Sequence, residues 1–357
     1  MPLEDTRRRR DASVALVQPP AVELEPFVAR TERGENAYVE LSARIPEAAR
    51  LVVVDFPGLA VGTAEYDEGP TGCTVLLLDR YAGTAIDIRG GIPAVYNATA
   101  QSVEAVCLAG GSSLGLAASS GVAAELYERR QSDPLKMPAV TGGVIYDFAL
   151  PGRTGVYPDL DLGRAAARAA KSGHIPVGTV GAARSATCGK LGVAGWAEPG
   201  GQGAAFGVIG SLRVVALVVV NALGVIVDRS GDVVRGNRDP NTGRRSHMTA
   251  EQMVHGTERQ RQRFLQRFAE ATTLTVVLTD ARLPSRELTQ LARQIHASMA
   301  RAIHPFNAMG DGDTLWLLCT DEVEDSSIVP TAFGAFASEL VWDAILTSFD
   351  DSADRGS

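Results

Sequence analysis

Short apolar runs separated by polar, glycine-rich turns begin at Leu51 and continue almost to the end of the chain. Strands are predicted by β-branched and apolar runs, namely LVVVDF, CTVLLL, TAIDIR, EAVCLA, VIYDFAL, RVVALVVVNALGVIVD as two strands, TTLTVVLT and TLWLLC. Helices are predicted by small-residue or amphipathic segments, namely LGLAASSGVAAELYERR, DLGRAAARAAKSG, a segment ending at Ala271, PSRELTQLARQIHASMARAI and FGAFASELVWDAILTSF. Helices with an apolar face and several internal strands predict helix layers that cover sheets, in an α+β fold.

The domain organisation follows from where this pattern starts and stops. Residues 1 to about 45 contain prolines and charges but little periodicity, which predicts a flexible lead-in. Residues 46–350 show no internal repeat and no clear linker, so we expect a single domain there. The chain has 357 residues, of which 45% are hydrophobic and 21% charged, as is typical of a soluble globular protein.

Charge and cysteine content narrow the class of function. The net charge is −8, and residues 272–357, with 13 acidic and 5 basic residues, carry the whole imbalance. The basic run from Arg7 to Arg10 lies in the lead-in, so no clustered footprint for nucleic acid is expected. The four cysteines are widely spaced, and no apolar run approaches the roughly 20 residues of a membrane span. We expect a cytoplasmic protein with reduced thiols, without a metal or cofactor, that binds neither nucleic acid nor membrane.

Two motifs could carry a nucleophile. Thr272 and Thr273 open a β-branched run directly after a helix-favouring segment. Most such pairs reflect strand propensity, but one of the hydroxyls could be a nucleophile. Residues 111–115 match GxSxG between a predicted strand and helix, which is the context of a serine nucleophile elbow. Against the elbow, the following helix is rich in small residues, as close packing alone would select, and no histidine stands in an obvious triad position.

Five polar residues are further candidates, each with a structural alternative. Asp311 and Asp313 bracket a glycine before a strand, either as a turn or as a carboxylate pair that orients a nucleophile. Asn221 interrupts an apolar strand, so its amide needs a partner, which is either a structural hydrogen bond or an oxyanion. Lys190 follows the small-residue stretch SATCG, and Tyr146 belongs either to the core or to the wall of a site.

Many blocks in one order make the chain similar to a single family of self-cleaving hydrolases. This family includes β-peptidyl aminopeptidases, the L-aminopeptidase/D-esterase/amidase group and the endo-acting hydrolase of nylon (6-aminohexanoate) oligomers. The blocks are DFPG, YDEGPTG, DIRGG, CLAGG, VIYDF, GQGAAF, VNALGVIVDRSGDVVRGN, TTLTVVLT and DGDTLW, and they extend from about Leu51 to Ile345. DFPG, EGPTG, GQGAAF and VIVDRSGDVVRGN resemble the nylon-oligomer branch in particular.

The resemblance implies an αββα sandwich built from a precursor that cleaves itself between Ala271 and Thr272. The products would be a large chain, 1–271, and a small chain, 272–357, assembled as a homo-oligomer and commonly a tetramer. By the same resemblance Thr272 is the nucleophile, and the remaining site residues are the carboxylate pair Asp311 and Asp313, the charge-stabilising Lys190 and Asn221, and the substrate-side Tyr146. The family usually has Asn where this chain has Ala271, and a changed bend at the bond would slow processing.

A free N-terminal threonine explains why no histidine is needed. It carries a hydroxyl nucleophile and an α-amine whose unperturbed pKa of about 7.7–8.0 suits a general base. The predicted function is therefore an amide hydrolase that acts through an acyl-enzyme on linear amide oligomers of the nylon type. Three alternatives remain open: a β-peptidyl or N-terminal aminopeptidase of the same family, a serine hydrolase that uses Ser113, and an uncut binding protein.

Overall fold

The computed structural model describes residue 36 and residues 39–48, 50–148, 153–190, 195–248 and 271–350. These residues belong to one compact unit, Gly34–Ser357. The described strands are β1 (Arg50–Val53), β2 (Leu59–Tyr66), β3 (Thr71–Ile88), β4 (Val95–Tyr96), β5 (Ser102–Ala109), β6 (Val140–Val144), β7 (His174–Val177), β8 (Thr187–Cys188), β9 (Glu198–Pro199), β10 (Gly201–Ile209), β11 (Leu212–Asn221), β12 (Val225–Val227), β13 (Val233–Arg235), β14 (Thr272–Ala281), β15 (Ile303–His304) and β16 (Thr314–Val323). The described helices are α1 (Ala117–Arg129), α2 (Leu160–Arg168), α3 (Ser285–Ser298) and α4 (Pro330–Leu346).

A nine-stranded sheet in the order β10-β11-β14-β16-β3-β5-β6-β4, with β2 added beside β3, organises the fold. The long strand β3 joins its two halves, because its first part pairs with β2 and β5 and its last part pairs with β16. The ladder between β3 and β5 shifts register between Leu77 and Ala82. One half therefore contains β10, β11, β14 and β16, and the other contains β2, β5, β6 and β4.

The two halves pack against each other through one buried apolar cluster. This cluster contains alternate residues of β11, β14 and β16 together with alternate residues of β2, β3 and β5. Alternate residues of a strand point to the same face, so each half presents one apolar face to the other. Trp316 is the largest fully buried side chain and lies in this cluster.

A pair of helices covers the outer face of each half. Helices α1 and α2 pack on each other and on β2, β5 and β6, whereas α3 and α4 pack on each other and on β3, β10, β11 and β16. The predicted apolar face of α3 is buried in the second helix-to-sheet core, through Leu288, Leu291 and Ile295. The described residues thus form a mixed α/β fold in which the two halves of the sheet pack face to face and a helix pair covers each outer face. The prediction that helix layers cover sheets is confirmed.

Three of the predicted strands were wrong in their bounds. CTVLLL and TAIDIR belong to the single strand β3. Of residues 144–148, the described part of VIYDFAL, Val144 alone lies in a strand, because β6 lies earlier, over VTGGV. The two glycines of β6 are weak strand formers, so the pattern did not predict this strand. A Cβ at Gly143 would lie 2.6 Å from Cη2 of Trp316. The close approach of Trp316 explains why this strand carries glycine where the pattern predicts larger residues.

Several predictions fall partly outside the described residues. The helix expected before Ala271 lies in residues 249–270, and most of the expected lead-in precedes residue 39. Within the end of that lead-in, Arg44 forms an antiparallel bridge with Glu65 of β2. Among the helices that the structure describes, none is both long and apolar enough to cross a membrane.

Candidate active site

The peptide bond between Ala271 and Thr272 lies at the start of β14, a central strand whose ten residues are all buried. Leu274 and Val276 face the cluster between the two halves of the sheet. By the alternation of the strand, Thr272 faces the same way, and Thr273 faces the helix pair α3 and α4. The structure thus distinguishes the two threonines, because only the first faces the space between the halves of the sheet.

The hydroxyl of Thr272 lies against the carbonyl of the residue before it. Thr272 Oγ1 donates to the Ala271 carbonyl oxygen at 2.5 Å, and the Gly312 N–H donates to the same oxygen at 3.0 Å. Ala271 and Thr272 are 2% and 5% exposed. A hydroxyl and an N–H donor therefore meet at one buried carbonyl oxygen, which places the hydroxyl beside the peptide bond that acyl transfer would break.

Asn221 is the direct cross-strand neighbour of Thr272 in the ladder between β11 and β14, and it is fully buried. Its Nδ2 donates to the Tyr146 carbonyl oxygen at 2.9 Å, and its Oδ1 accepts from the Thr187 N–H at 3.0 Å. Lys190 Nζ donates to Oδ1 of Asn221 at 2.7 Å and to its carbonyl oxygen at 3.0 Å. The side-chain amide of Asn221 is thus held by hydrogen bonds on both of its polar atoms, beside Thr272. The Lys190 ammonium lies next to the Oδ1 of this amide.

Tyr146 joins the site through its main chain. Its carbonyl accepts from Asn221, while its half-buried ring packs edge-on against Phe148 with centroids 5.5 Å apart. The described hydrogen bond to Asn221 is made by the Tyr146 backbone, and the substrate-side role of its side chain stays a prediction.

The two aspartates bind main-chain N–H groups around the Ala271–Thr272 bond. Asp311 accepts hydrogen bonds from the N–H groups of Leu223, at 3.3 Å, and Ala308, at 3.0 Å. Asp313 accepts hydrogen bonds from the N–H groups of Thr273, at 2.6 Å, and Asn307, at 3.0 Å. In the part of the chain that the structure describes, neither carboxylate hydrogen-bonds to the Thr272 hydroxyl. The carboxylates therefore position the backbone on both sides of the nucleophile.

Burial dominates the electrostatics of this carboxylate pair. It raises the pKa of Asp311 from 3.8 to about 6, against the opposing effect of the nearby Lys190 charge. Burial and then the charge of Asp311 raise the pKa of Asp313 well above its ordinary value. The protons of such a pair belong to both groups, so the pair titrates above the range of an exposed aspartate.

The residues that the sequence singled out lie close together in the structure, while their roles in catalysis stay a prediction. Thr272, Asn221, Lys190 and the two aspartates converge, while the N–H of Gly312 at the Ala271 carbonyl was not foreseen. The signal in the sequence was the glycine at position 312 itself. The structure explains it, because a Cβ at Gly312 would lie 2.7 Å from Thr272 Oγ1. No set of three or more His, Cys, Asp or Glu side chains suited to a metal ion occurs among the described residues.

The GxSxG motif forms a different structure from a nucleophile elbow. Ser112–Leu116 is a short 3-10 helix, and Ser113 is exposed. Gly115 packs so closely on the Gly110 carbonyl that a Cβ there would lie 1.8 Å from the oxygen. Over the described residues, no histidine ring hydrogen-bonds to Ser113. Close packing therefore accounts for the glycines of this motif.

Comparison with known proteins agrees with the resemblance seen in the sequence. The chain is 43% identical to the 6-aminohexanoate-oligomer endohydrolase of Paenarthrobacter ureafaciens, over 82% of this chain and 84% of that protein. Two solved structures share the fold, each covering 85% of this chain and 88% of its own. They are a β-aminopeptidase of a Burkholderia species, with a TM-score of 0.60 and 18% identity, and the L-aminopeptidase D-Ala-esterase/amidase of Ochrobactrum anthropi, with a TM-score of 0.58 and 16% identity.

The second of these structures is described as a variant of the Ntn hydrolase fold, and identities this low are evidence of the fold alone. The family model of peptidase family S58 matches residues 52–353, nearly the whole described chain. The chain therefore belongs to peptidase family S58, a family of amide-bond hydrolases.

Proposed function

We propose that this protein cleaves itself between Ala271 and Thr272 and then hydrolyses linear amide oligomers with Thr272 as its N-terminal nucleophile. The observation that carries the proposal is the 2.5 Å contact between Thr272 Oγ1 and the Ala271 carbonyl oxygen. The 43% identity to a 6-aminohexanoate-oligomer endohydrolase supports nylon-type oligomers as the substrate class.

Self-cleavage begins with attack of Thr272 Oγ1 on the Ala271 carbonyl carbon, through a five-membered ring. The new C–O bond forms, the C–N bond breaks, and the hydroxyl proton is transferred to the departing nitrogen of Thr272. Water then hydrolyses the ester, which gives the Ala271 carboxylate and restores the hydroxyl. Ala271 in place of the family's usual Asn is compatible with this route, because only its carbonyl takes part.

Turnover repeats the same chemistry on a substrate amide. The freed α-amine of Thr272 accepts the hydroxyl proton as Oγ1 attacks, and it returns a proton to the leaving amine. Asn221 and Lys190 lie beside Thr272 and supply positive electrostatic potential there. A donor that bonds the oxyanion itself contributes about 2.7–4 kcal/mol. Asp311 and Asp313 hold the strand end in place through the backbone.

The first test is the intact mass of the purified, denatured protein, with N-terminal sequencing of any smaller piece. Cleavage would give fragments of 271 and 86 residues, the second beginning TTLTVV. Thr272→Val should stay uncut and inactive yet folded, because the Ala271 carbonyl keeps the Gly312 N–H and loses one hydrogen bond of about 0.5–1.5 kcal/mol. Thr273→Val is the matched control and should still be processed, and turnover by uncut Thr272→Val would refute the proposal.

The same variants separate this proposal from its alternatives. A serine hydrolase would lose activity in Ser113→Ala, which we expect to be fully active. An uncut, inactive wild-type chain would favour a binding protein.

An aminopeptidase of the same family is the second candidate, supported by the peptidase family itself. An oligomer of 6-aminohexanoate with an acetylated amine decides between the two activities. An endo-acting enzyme cleaves it, whereas an aminopeptidase requires the free amine. We also propose a homotetramer, for which light scattering would give about four times the 37.6 kDa of one chain.

A further inference from the structure

We infer that the main-chain N–H of Gly312 is the oxyanion donor of the self-cleavage step. The inference rests on the proposed function and adds to it a catalytic group that belongs to the backbone. Its basis is the hydrogen bond from Gly312 N to the Ala271 carbonyl oxygen, 3.0 Å long. This is an ordinary N–H···O length in the uncut chain, and it places the donor at the oxygen on which negative charge develops during attack.

The other N–H groups around the bond have different partners. Those of Thr273, Asn307, Ala308 and Leu223 donate to the two aspartates. The side-chain Nδ2 of Asn221, which sequence reasoning assigned to the oxyanion, donates to the Tyr146 carbonyl. Among the described residues, Gly312 is thus the backbone donor that reaches the oxygen on which negative charge develops.

The neighbouring loop fixes the Gly312 peptide in position. The Ile92 N–H donates to the Asp311 carbonyl at 2.9 Å, and the Arg89 N–H donates to the Asp313 carbonyl at 3.1 Å. A Cβ at Gly90 would lie 2.3 Å from the Asp313 nitrogen, so this loop lies directly against the turn. The Ile92 bond therefore anchors the Asp311–Gly312 peptide, which carries the Gly312 N–H, and the Arg89 bond holds the next part of the turn, so the N–H is oriented before the reaction begins.

Glycine is required at this position for a steric reason as well. A Cβ on Gly312 would lie 2.7 Å from Thr272 Oγ1 and 2.9 Å from the Ile92 carbonyl oxygen. Any side chain would thus push the hydroxyl away from the carbonyl. Glycine lets the N–H and the nucleophile approach one carbonyl group together.

The same donor can act in turnover. In both reactions an acyl group becomes esterified to the same atom, Thr272 Oγ1. The acyl carbonyl of a substrate therefore takes the place that the Ala271 carbonyl held, where it faces the Gly312 N–H. We expect loss of this donor to slow self-cleavage and substrate hydrolysis by similar factors.

The test replaces the N–H and leaves the side chains unchanged. The full chain is made by cell-free translation with glycolic acid at position 312, which substitutes an ester oxygen for the nitrogen. The disappearance of the uncut chain is then followed by gel. Loss of one oxyanion donor should slow self-cleavage on the order of 10²–10³-fold. Any processed product is then assayed on an amide oligomer, where kcat should fall by a similar factor with little change in KM.

A matched ester at Gly163 is the control. The same glycolic acid substitution there removes an N–H that donates to the Asp159 carbonyl at 3.1 Å in α2, on the outer face of the fold and away from the Ala271 carbonyl. We expect it to be processed within about tenfold of the wild-type rate, a difference of 1.4 kcal/mol. Unchanged cleavage with the ester at 312, or equal slowing by both esters, would overturn the inference while the self-cleavage proposal stands. A wild-type chain that never cleaves would overturn both.

Discussion

Asp311→Asn offers a quantitative test of the buried carboxylate pair. The substitution is made in the Thr272→Val chain, so that a single uncut species is compared in every measurement. It removes the ionisable group whose pKa burial raises from 3.8 to about 6. The stability that a raised pKa contributes is complete below the unfolded-state value, near pH 4, and is lost as the pH rises through about 6.

The size of the effect follows from these two values. At pH 8 Asp311 is ionised in both the folded and the unfolded chain, so its protonation adds nothing to the free energy of unfolding. At pH 5 it is mostly protonated when folded and mostly ionised when unfolded, which adds about 1.4 kcal/mol to the free energy of unfolding. The charge of Asp311 also raises the pKa of Asp313, so its removal reduces the pH dependence of both groups.

Urea unfolding at pH 5 and pH 8 measures the effect through tryptophan fluorescence. From pH 8 to pH 5, the parent chain should gain about 1.4 kcal/mol or more relative to the Asp311→Asn chain. Other titrating groups are common to both chains and cancel in the difference. Equal pH dependence in the two chains, or a larger gain in the asparagine variant, would show that burial does not control this carboxylate.

Two further predictions concern folding in other parts of the molecule. Arg153→Leu should lower the free energy of unfolding in urea by about 3–5 kcal/mol. Arg153 and Asp147 form a fully buried ion pair 2.7 Å long, and the substitution leaves the Asp147 carboxylate without this partner. Loss of less than about 1 kcal/mol would mean that the other hydrogen bonds of Asp147 suffice. Gly62→Ala should lower stability by about 1–3 kcal/mol or more, because its Cβ would lie 2.1 Å from the Ala166 carbonyl oxygen of α2. Gly83→Ala, whose nearest neighbour is 3.8 Å away, is the control and should change stability by less than about 1 kcal/mol.

The spacing of apolar and β-branched side chains along the sequence predicted several helices and strands of this fold. The helical spacing of Leu288, Leu291 and Ile295 located α3, and the β-branched run after Ala271 located β14. The pattern failed where exposed polar residues interrupt a strand. Residues 79–81 are exposed, which is typical of a turn, but β3 continues through them with a shift in register.

The site was predictable to the same extent. Asn221 and the aspartates could be singled out because a polar side chain beside an apolar strand is unusual. The Gly312 N–H could not, since every residue except proline carries such a donor and only the folded chain determines where it points. Likewise, the sequence could not show that Asp311 and Asp313 accept hydrogen bonds from main-chain N–H groups around the Ala271–Thr272 bond.

Burial of the two carboxylates links their pKa values to processing. In the uncut chain the nearby cation is Lys190, and the pKa of Asp311 still remains about 6. Cleavage would create a second cation, the α-ammonium of Thr272, one residue before the Thr273 N–H that donates to Asp313. An opposite charge at close range lowers a carboxyl pKa by about 1–3.

We therefore expect the pair to titrate at lower pH after processing. Titration of carboxyl carbons by NMR, with aspartate labelled by carbon-13, would compare the processed wild type with uncut Thr272→Val. Identical titration curves would mean that the new ammonium lies too far from the pair to affect it. A fall in both pKa values would mean that processing relieves an unfavourable burial of charge that the precursor tolerates, so that formation of the nucleophile also stabilises the ionised site around it.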